Sequence, residues 1–134
     1  MLAKQLGKRM QHRICSFLLF SIVMLPLHAA ASPIYHTVVF WLKPDVSASQ
    51  ADEIIRSIKS MAALPMVQAV LVGTPVMSDR AIVDDSFSIA FTMIFEDAAA
   101  LHAYGADPYH KKISSEVTMP YVARGVIYDY QDQE

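Results

Sequence analysis

Histidine is the side chain in this sequence that is best suited to chemistry near neutral pH. Of the five histidines, three lie beyond residue 31, at His36, His102 and His110. A neutral imidazole can remove a proton from a carbon acid, and a second one can polarise a carbonyl group or a phenol. His36 lies in an apolar segment and His110 follows Pro108, whereas His102 is expected at the surface. His36 and His110 are therefore the candidates for acid–base chemistry.

The residues alone leave three interpretations of His36 and His110 open. They could be buried structural histidines that hydrogen-bond to the backbone or to each other, they could share a ligand-binding or catalytic pocket, or they could bind a metal. The sequence favours the structural interpretation. A metal site is supported only by the number of histidines, because no metalloprotease spacing and no second suitable carboxylate accompany them. We therefore predict neither a metal nor a cofactor.

Other common classes of function lack the residues that they need. The four glycines are too dispersed for a phosphate-binding loop, and Ser114 and Ser115 lack the context of a nucleophile elbow. Cys15 is the only cysteine, so beyond residue 31 neither a disulfide nor a thiol nucleophile is available. Beyond residue 31, seven basic side chains stand against thirteen acidic ones, which argues against binding to nucleic acid.

The first 31 residues have the three-part organisation of a secretory signal peptide. Four basic side chains fall within residues 4–13, and an apolar run follows over residues 14–27. Ala29 and Ala31 then supply the two small side chains that signal peptidase requires. We therefore expect cleavage after Ala31.

An uncleaved membrane anchor is the alternative for this segment. The apolar run is shorter than the roughly 20 residues of a spanning helix, and Pro26 interrupts it. Cys15 lies inside the apolar run rather than at the cleavage site, which argues against a lipoprotein. We therefore predict a signal peptide at 1–31 and a domain at 32–134 that is periplasmic or secreted, with no membrane attachment after cleavage.

Hydrophobic periodicity beyond residue 33 predicts an α+β domain. Alternation with a period of two and β-branched or aromatic runs indicate strands, whereas apolar residues at steps of three and four after the capping box that begins at Ser47 indicate a helix. The expected strands are 34–42, 67–74, 87–95 and 125–130. The first expected helix follows the capping box and ends at about residue 64, and the second runs from Asp97 to about Tyr104. A turn or short helix begins at Asp107. The order βαββαβ is the ferredoxin-like plan.

The first predicted strand is apolar on both faces, which suggests that one copy is not the complete assembly. Val38 and Phe40 alternate with Tyr35, Val39 and Trp41. Helices cover only one face of a ferredoxin-like sheet, and monomers rarely leave a large apolar face open. We therefore predict a homodimer in which two sheets face each other and form a dimeric α/β barrel.

Within this plan, the chain resembles the stress-responsive α/β-barrel domain family of the dimeric α/β-barrel superfamily. The resemblance extends from about Ile34 to Tyr130 and depends on four segments in the family's order. These are the first strand with its early histidine at 34–40, the Pro-x-Val…Gly segment at 64–73, the strand exit and Leu-x-x-Tyr helix at 95–104, and a His-Pro-x-His-like motif at 107–110, in which Asp107 replaces the first histidine.

The resemblance implies a shared pocket. Family members range from stress-induced proteins of unestablished activity to a plant polyketide cyclase, and more distant relatives include cofactor-free oxygenases and haem-handling enzymes. In the cyclase, the histidines that match His36 and His110 face one cavity. Tyr104 matches a further pocket residue, which could donate a hydrogen bond to an oxyanion. Ile58 stands where the cyclase has a pocket tyrosine.

Two functions follow as expectations. The first is an exported homodimer of unestablished activity that binds a small apolar or aromatic ligand. The alternative is a cofactor-independent enzyme, cyclase-like or oxygenase-like, that acts on an aromatic or polyketide-like substrate. In that case His36, His110 and Tyr104 are the catalytic candidates.

Overall fold

A single antiparallel sheet organises the protein. The computed structural model describes residues 32–133, so the expected signal peptide lies outside the described residues. The spatial order of the strands is β2-β3-β1-β4, and every neighbouring pair is antiparallel. This is the predicted ferredoxin-like arrangement. The strands are β1 (Ile34–Leu42), β2 (Ala69–Gly73), β3 (Ile89–Phe95) and β4 (Val122–Gln131).

The helical segments fill the two long connections. The first connection holds α1 (Ala48–Ser60) and a 3₁₀ turn (Met61–Ala63). The second holds α2 (Ala98–Ala106), α3 (Pro108–Ile113), a π-helical turn (Ser114–Thr118) and a 3₁₀ turn (Met119–Tyr121). The second connection is thus more helical than the sequence indicates. No helix within residues 32–133 is long and apolar enough to cross a membrane.

Helix α1 forms as its sequence predicts. The Ser47 hydroxyl accepts a hydrogen bond from the Gln50 amide, and the Gln50 side chain accepts one from the Ser47 amide. Ile54, Ile58 and Met61 are buried. Helix α1 ends at Ser60, earlier than the expected end near residue 64, because the chain tightens into the 3₁₀ turn, in which Ala62 is exposed.

The core lies between the helices and one face of the sheet. In β3, Ile89, Phe91, Met93 and Phe95 are buried, as the alternation predicts. The expected start of this strand at residue 87 was wrong by two residues. Strand β3 begins only at Ile89, and Phe87 is half-buried in surface depressions on the other side of the sheet.

Within residues 32–133, no helix packs over the other face of the sheet. Tyr35 stacks on Tyr130 with ring centroids 5.1 Å apart, and the guanidinium of Arg124 lies 4.3 Å from the ring centre of Trp41. Leu71 on the same face is 59% exposed. We call this surface the uncovered face; it comprises the outward side chains of the four strands, among them Tyr35, Thr37, Val39, Trp41, Leu71, Thr92, Arg124, Tyr128 and Tyr130.

Candidate functional site

A cavity of about 260 Å³ lies between the helical layer and the core face of the sheet. Most of its wall is apolar, and the polar side chains that reach it are few. The strands contribute His36, Val38, Phe40, Phe91, Met93, Gly125 and Ile127, and the helical segments contribute Ile58, Met61, Tyr104, His110, Ser114, Thr118 and Met119. A concave, mostly apolar space with a few convergent polar groups is the usual form of a small-molecule site.

The pairing of β1 with its neighbours positions His36. His36 lies opposite Met93 of β3 and opposite Asp129 of β4. Its Nδ1 atom is 2.6 Å from Oδ1 of Asp129. The His36 side chain is 13% exposed, whereas that of Asp129 is 50% exposed. The carboxylate therefore sits at the rim of the cavity and holds an imidazole that faces inward.

Local capping positions His110. The Asp107 carboxylate accepts hydrogen bonds from the backbone amides of Tyr109 and His110, at 2.8 and 3.1 Å, and Pro108 occupies the first turn. The hydroxyls of Tyr109 and Ser60 are 2.8 Å apart, which ties α3 to the end of α1. These contacts fix the start of α3 above the sheet.

The aromatic rings of Tyr104, His110 and His36 form one cluster. The centroids of Tyr104 and His110 are 4.1 Å apart, and their planes differ by 32°. Tyr104 also lies edge-on to His36, with a centroid distance of 6.0 Å. Tyr104 itself is only 3% exposed. The structure thus brings the three candidate residues together along one wall of the cavity.

The surroundings of His110 favour a neutral ring. Burial lowers the pKa of His110 below its ordinary value of 6.5, and the nearby His36 adds to the effect. The backbone carbonyls of Gly105 and Tyr104 and the carboxylate of Asp107 oppose this shift without reversing it. The buried Nδ1 atom of His110 has no hydrogen-bond partner within residues 32–133.

Tyr104 is held as a neutral hydrogen-bond donor. Burial raises the pKa of its phenol far above the ordinary value of 10.0, and the charge of Asp107 acts in the same direction. A phenol with a raised pKa stays protonated through the physiological range. It can therefore donate a hydrogen bond but cannot serve as a base.

His102 and Ile58, the other two residues considered in the sequence analysis, lie in different surroundings. His102 is exposed on α2, as expected. Ile58 lines the cavity, so this wall is apolar at the position where the cyclase has a tyrosine. Within residues 32–133, no group of three or more His, Cys, Asp or Glu side chains is arranged to hold a metal ion.

Sequence reasoning missed three polar residues of the site. Asp129 lies beside the cavity and contacts His36, and its only signal in the sequence is a carboxylate on the side of β4 that also carries Ile127. Ser114 and Thr118 line the cavity through a π-helical turn, for which the sequence pattern gives no signal. The two hydroxyls add to the polar groups of the candidate residues.

Comparisons with known proteins agree with this architecture. No curated protein sequence matches the chain significantly. A Dabb family protein with a ferredoxin-like fold from Mesorhizobium loti shares 24% identity and a TM-score of 0.64, covering 77% of this chain and 99% of its own. A hydroxynitrile lyase from Passiflora edulis shares 23% identity and a TM-score of 0.68, covering 78% of this chain and 96% of its own.

A third similar structure is a dimeric ferredoxin-like protein of unknown function from Thermobifida fusca. It shares 19% identity and a TM-score of 0.63, covering 78% of this chain and 95% of its own. Identities this low establish the common fold and leave activity open. The family model described as Dabb, the stress responsive A/B barrel domain, matches residues 34–132, and the chain therefore belongs to that family.

Proposed function

We propose that the protein binds a small, mostly apolar aromatic molecule in the cavity beside His36, Tyr104 and His110. The observation that carries this proposal is the convergence of the two imidazoles and the buried Tyr104 phenol on one mostly apolar cavity. Each of these three groups can form a hydrogen bond with a polar atom of a ligand that occupies the apolar space.

The size and lining of the cavity restrict the ligand. At about 260 Å³ the cavity is slightly smaller than the roughly 300–1,000 Å³ of sites for drug-sized molecules, so a single-ring compound fits better than a fused-ring one. Met61, Phe91 and Met93 provide apolar contact. Tyr104 and the imidazoles can pair with one carbonyl or hydroxyl group.

Binding is tested with a panel of single-ring aromatic ketones, aldehydes and phenols, monitored by calorimetry and protein NMR. We expect binding by the wild type and at least tenfold weaker binding by His110→Gln. His102→Gln is the matched control, because that histidine is exposed on α2. Absence of binding across the panel, or equal binding by His110→Gln, contradicts the proposal.

The second candidate function is proton transfer without a cofactor, and the contact between His36 and Asp129 favours it. The carboxylate accepts a hydrogen bond from Nδ1–H of His36, so in the neutral form of the ring Nε2 is the nitrogen that carries no proton. A base aligned in this way accelerates proton removal by roughly 10²–10⁴-fold. In this proposal, Nε2 takes a proton from the carbon next to a ligand carbonyl, while Tyr104 donates a hydrogen bond to the developing enolate oxygen.

Deuterium exchange tests this step directly. A base that removes and returns the proton beside a ketone replaces hydrogen by deuterium in heavy water, which NMR detects without any net reaction. We expect exchange with the wild type and none above the buffer rate with His36→Gln. An aromatic cyanohydrin provides a second assay, because the Passiflora edulis neighbour is a hydroxynitrile lyase. There the base removes the hydroxyl proton, and the carbon–cyanide bond breaks to give an aldehyde and cyanide ion. The protonated base then returns its proton to the cyanide, which leaves as hydrogen cyanide.

We also propose that two copies of the chain pair through the uncovered face. Tyr128 and Tyr130 on this face are 59% and 53% exposed, and Leu71 is similarly open. Large aromatic and aliphatic side chains at such exposure favour burial by a partner surface. The Thermobifida fusca neighbour and two further neighbours are described as dimeric ferredoxin-like proteins.

The proposed location is outside the cytoplasm. The basic, apolar and small-residue segments of residues 1–31 support it, and the family match begins at residue 34, just beyond the expected cleavage site. Export also fits a domain without cysteine, since its stability then does not depend on the redox state of the compartment.

A further inference from the structure

The cavity has a second polar region at the end away from His36. Ser114 and Thr118 both line it. Thr118 is 4% exposed and is the one buried polar residue that the structure places within residues 32–133. Burial of a hydroxyl is unfavourable unless a hydrogen bond compensates for it. Because both side chains face the ligand space, the compensating partner is expected there.

The π-helical turn explains how these two hydroxyls come to share a face with His110. In a continuous α-helix, a residue eight positions after His110 would lie about 80° around the axis from it. The amide of Met119 instead bonds to the Ser114 carbonyl, five residues back, and this wider turn rotates Thr118 towards the face of His110. His110, Ser114 and Thr118 therefore form one stripe along the cavity. Turns of this kind are frequent at functional sites.

The direction of the stripe places its two ends at opposite ends of the cavity. His110 lies beside Tyr104 and hence near His36. Thr118 lies at the other end, because the chain enters β4 shortly after it, at Val122, which pairs with Leu42 of β1. Thr118 is therefore two helical turns from His110 and cannot share a ligand atom with it, and Ser114 lies between the two.

We propose that Ser114 and Thr118 bind a second oxygen atom of the ligand and so select single-ring aromatic carbonyl compounds that carry a polar substituent opposite the carbonyl. This inference rests on the proposed ligand-binding function and specifies the ligand. A ligand oxygen bound between the two hydroxyls lies about 9 Å along the helix from His110. The other ligand oxygen, which bonds to the imidazole, is displaced from His110 by one hydrogen-bond length, so the two ligand oxygens are roughly 6 Å apart. Substituents at opposite positions of one benzene ring span such a distance.

The test compares two ligands that differ at the second polar group alone, 4′-hydroxyacetophenone and 4′-methylacetophenone. The hydroxyl and the methyl group are similar in size, so the ratio of the two dissociation constants isolates the hydrogen bond. One neutral hydrogen bond corresponds to roughly a three- to tenfold preference for the hydroxylated ligand. We expect that preference in the wild type and a ratio below about twofold in Ser114→Ala and Thr118→Val.

Two further variants control for structural damage. Ser115→Ala removes the neighbouring hydroxyl, which is exposed and bonds to the Lys112 carbonyl, and it is expected to keep the preference. Thr118→Ser retains the hydroxyl and should keep the preference as well, which covers the case in which Thr118→Val fails to fold.

The outcomes distinguish this inference from the proposed function. If the wild type binds both ketones equally, or if both hydroxyl-deleted variants keep the preference, the assignment of Ser114 and Thr118 is wrong and ligand binding stands. If the wild type binds neither these two ketones nor the wider panel of aromatic compounds, the proposed function itself fails and this inference falls with it.

Discussion

Nδ1 of His36 and Oδ1 of Asp129 are 2.6 Å apart and belong to residues directly opposite each other in β1 and β4. The sheet register thus builds an imidazole–carboxylate pair from residues 93 positions apart in the chain. The carboxylate selects the tautomer of the ring and fixes its plane. In this arrangement, loss of the carboxylate should affect the proposed proton transfer by His36 more than it affects ligand binding or the stability of the fold.

Asp129→Asn tests that expectation. The amide keeps the shape of the side chain but removes its charge, so His36 becomes a weaker and less well oriented base. We expect deuterium exchange to slow by at least about tenfold. Because Asp129 is half-exposed, the free energy of unfolding should fall by less than about 1 kcal/mol. Asp132→Asn, an exposed neighbour, is the control. Unchanged exchange in Asp129→Asn would show that His36 acts alone.

His110 should make stability depend on pH. Its pKa is lowered in the folded protein, so between that pKa and about 6.5 the unfolded chain binds more protons than the folded one. The resulting contribution to stability is complete above about pH 6.5 and is lost as the pH falls through the folded pKa. We expect the denaturant midpoint of the wild type, measured relative to that of His110→Gln, to fall when the pH is lowered from 7.5 to 5. A constant difference would contradict the lowered pKa.

Replacing Val39 by Asp should disrupt the proposed dimer. Val39 lies in the middle of the uncovered face, and a charge buried there without a partner costs several kcal/mol. We expect light scattering to give twice the protomer mass for the wild type and the protomer mass, or unfolding, for the variant. Ala99→Asp on exposed α2 introduces the same charge away from this face and should remain dimeric. A wild-type monomer at micromolar concentration refutes the pairing.

Exported material should begin near Ser32. Small residues precede the expected cleavage site, so replacing Ala31 by Arg should block the peptidase and leave the longer chain associated with the membrane. Intact-mass measurement and N-terminal sequencing of the exported protein check both statements. Exported protein that begins at Met1 would exclude the signal peptide.

Gly125 should control the width of the cavity. A Cβ atom at this position would lie 3.2 Å from Cδ1 and Cε1 of Phe40, so the ring would have to move by a few tenths of an ångström. Phe40 borders the cavity, so its ring can move into that space at little cost in free energy. We expect Gly125→Ala to weaken ligand binding severalfold while the melting temperature changes little. Gly105→Ala, where a Cβ meets nothing within 4 Å, should leave binding unchanged.

The core strands were predictable from the sequence because their burial alternates so regularly. The alternation of Ile89, Phe91, Met93 and Phe95 defines β3, and the run from Ile34 defines β1. Boundaries were less accurate. Strand β2 begins at Ala69 rather than at Val67, because the Val67 amide bonds back to the Leu64 carbonyl in a turn. Strand β4 begins three residues earlier than Gly125.

The site was only partly predictable, for physical reasons. Resemblance to the family predicted that His36, Tyr104 and His110 share a pocket, whereas the residues alone favoured structural roles for the two histidines. The pairing of Asp129 with His36 depends on the register between the first and last strands, which local periodicity does not specify. The π-helical turn depends on how the chain packs between α3 and β4, and Ser114 and Thr118 carry no local signal for it.

The cavity and the uncovered face lie on opposite sides of the same sheet. In the proposed dimer, the two helical layers are therefore outermost, and both sheets separate one cavity from the other. The side chains that line the cavity lie on the side of the sheet away from the proposed partner, so in this pairing neither site needs a residue of the other protomer. Ligand titrations should accordingly saturate at two molecules per dimer along a simple hyperbola, with a Hill coefficient of about one.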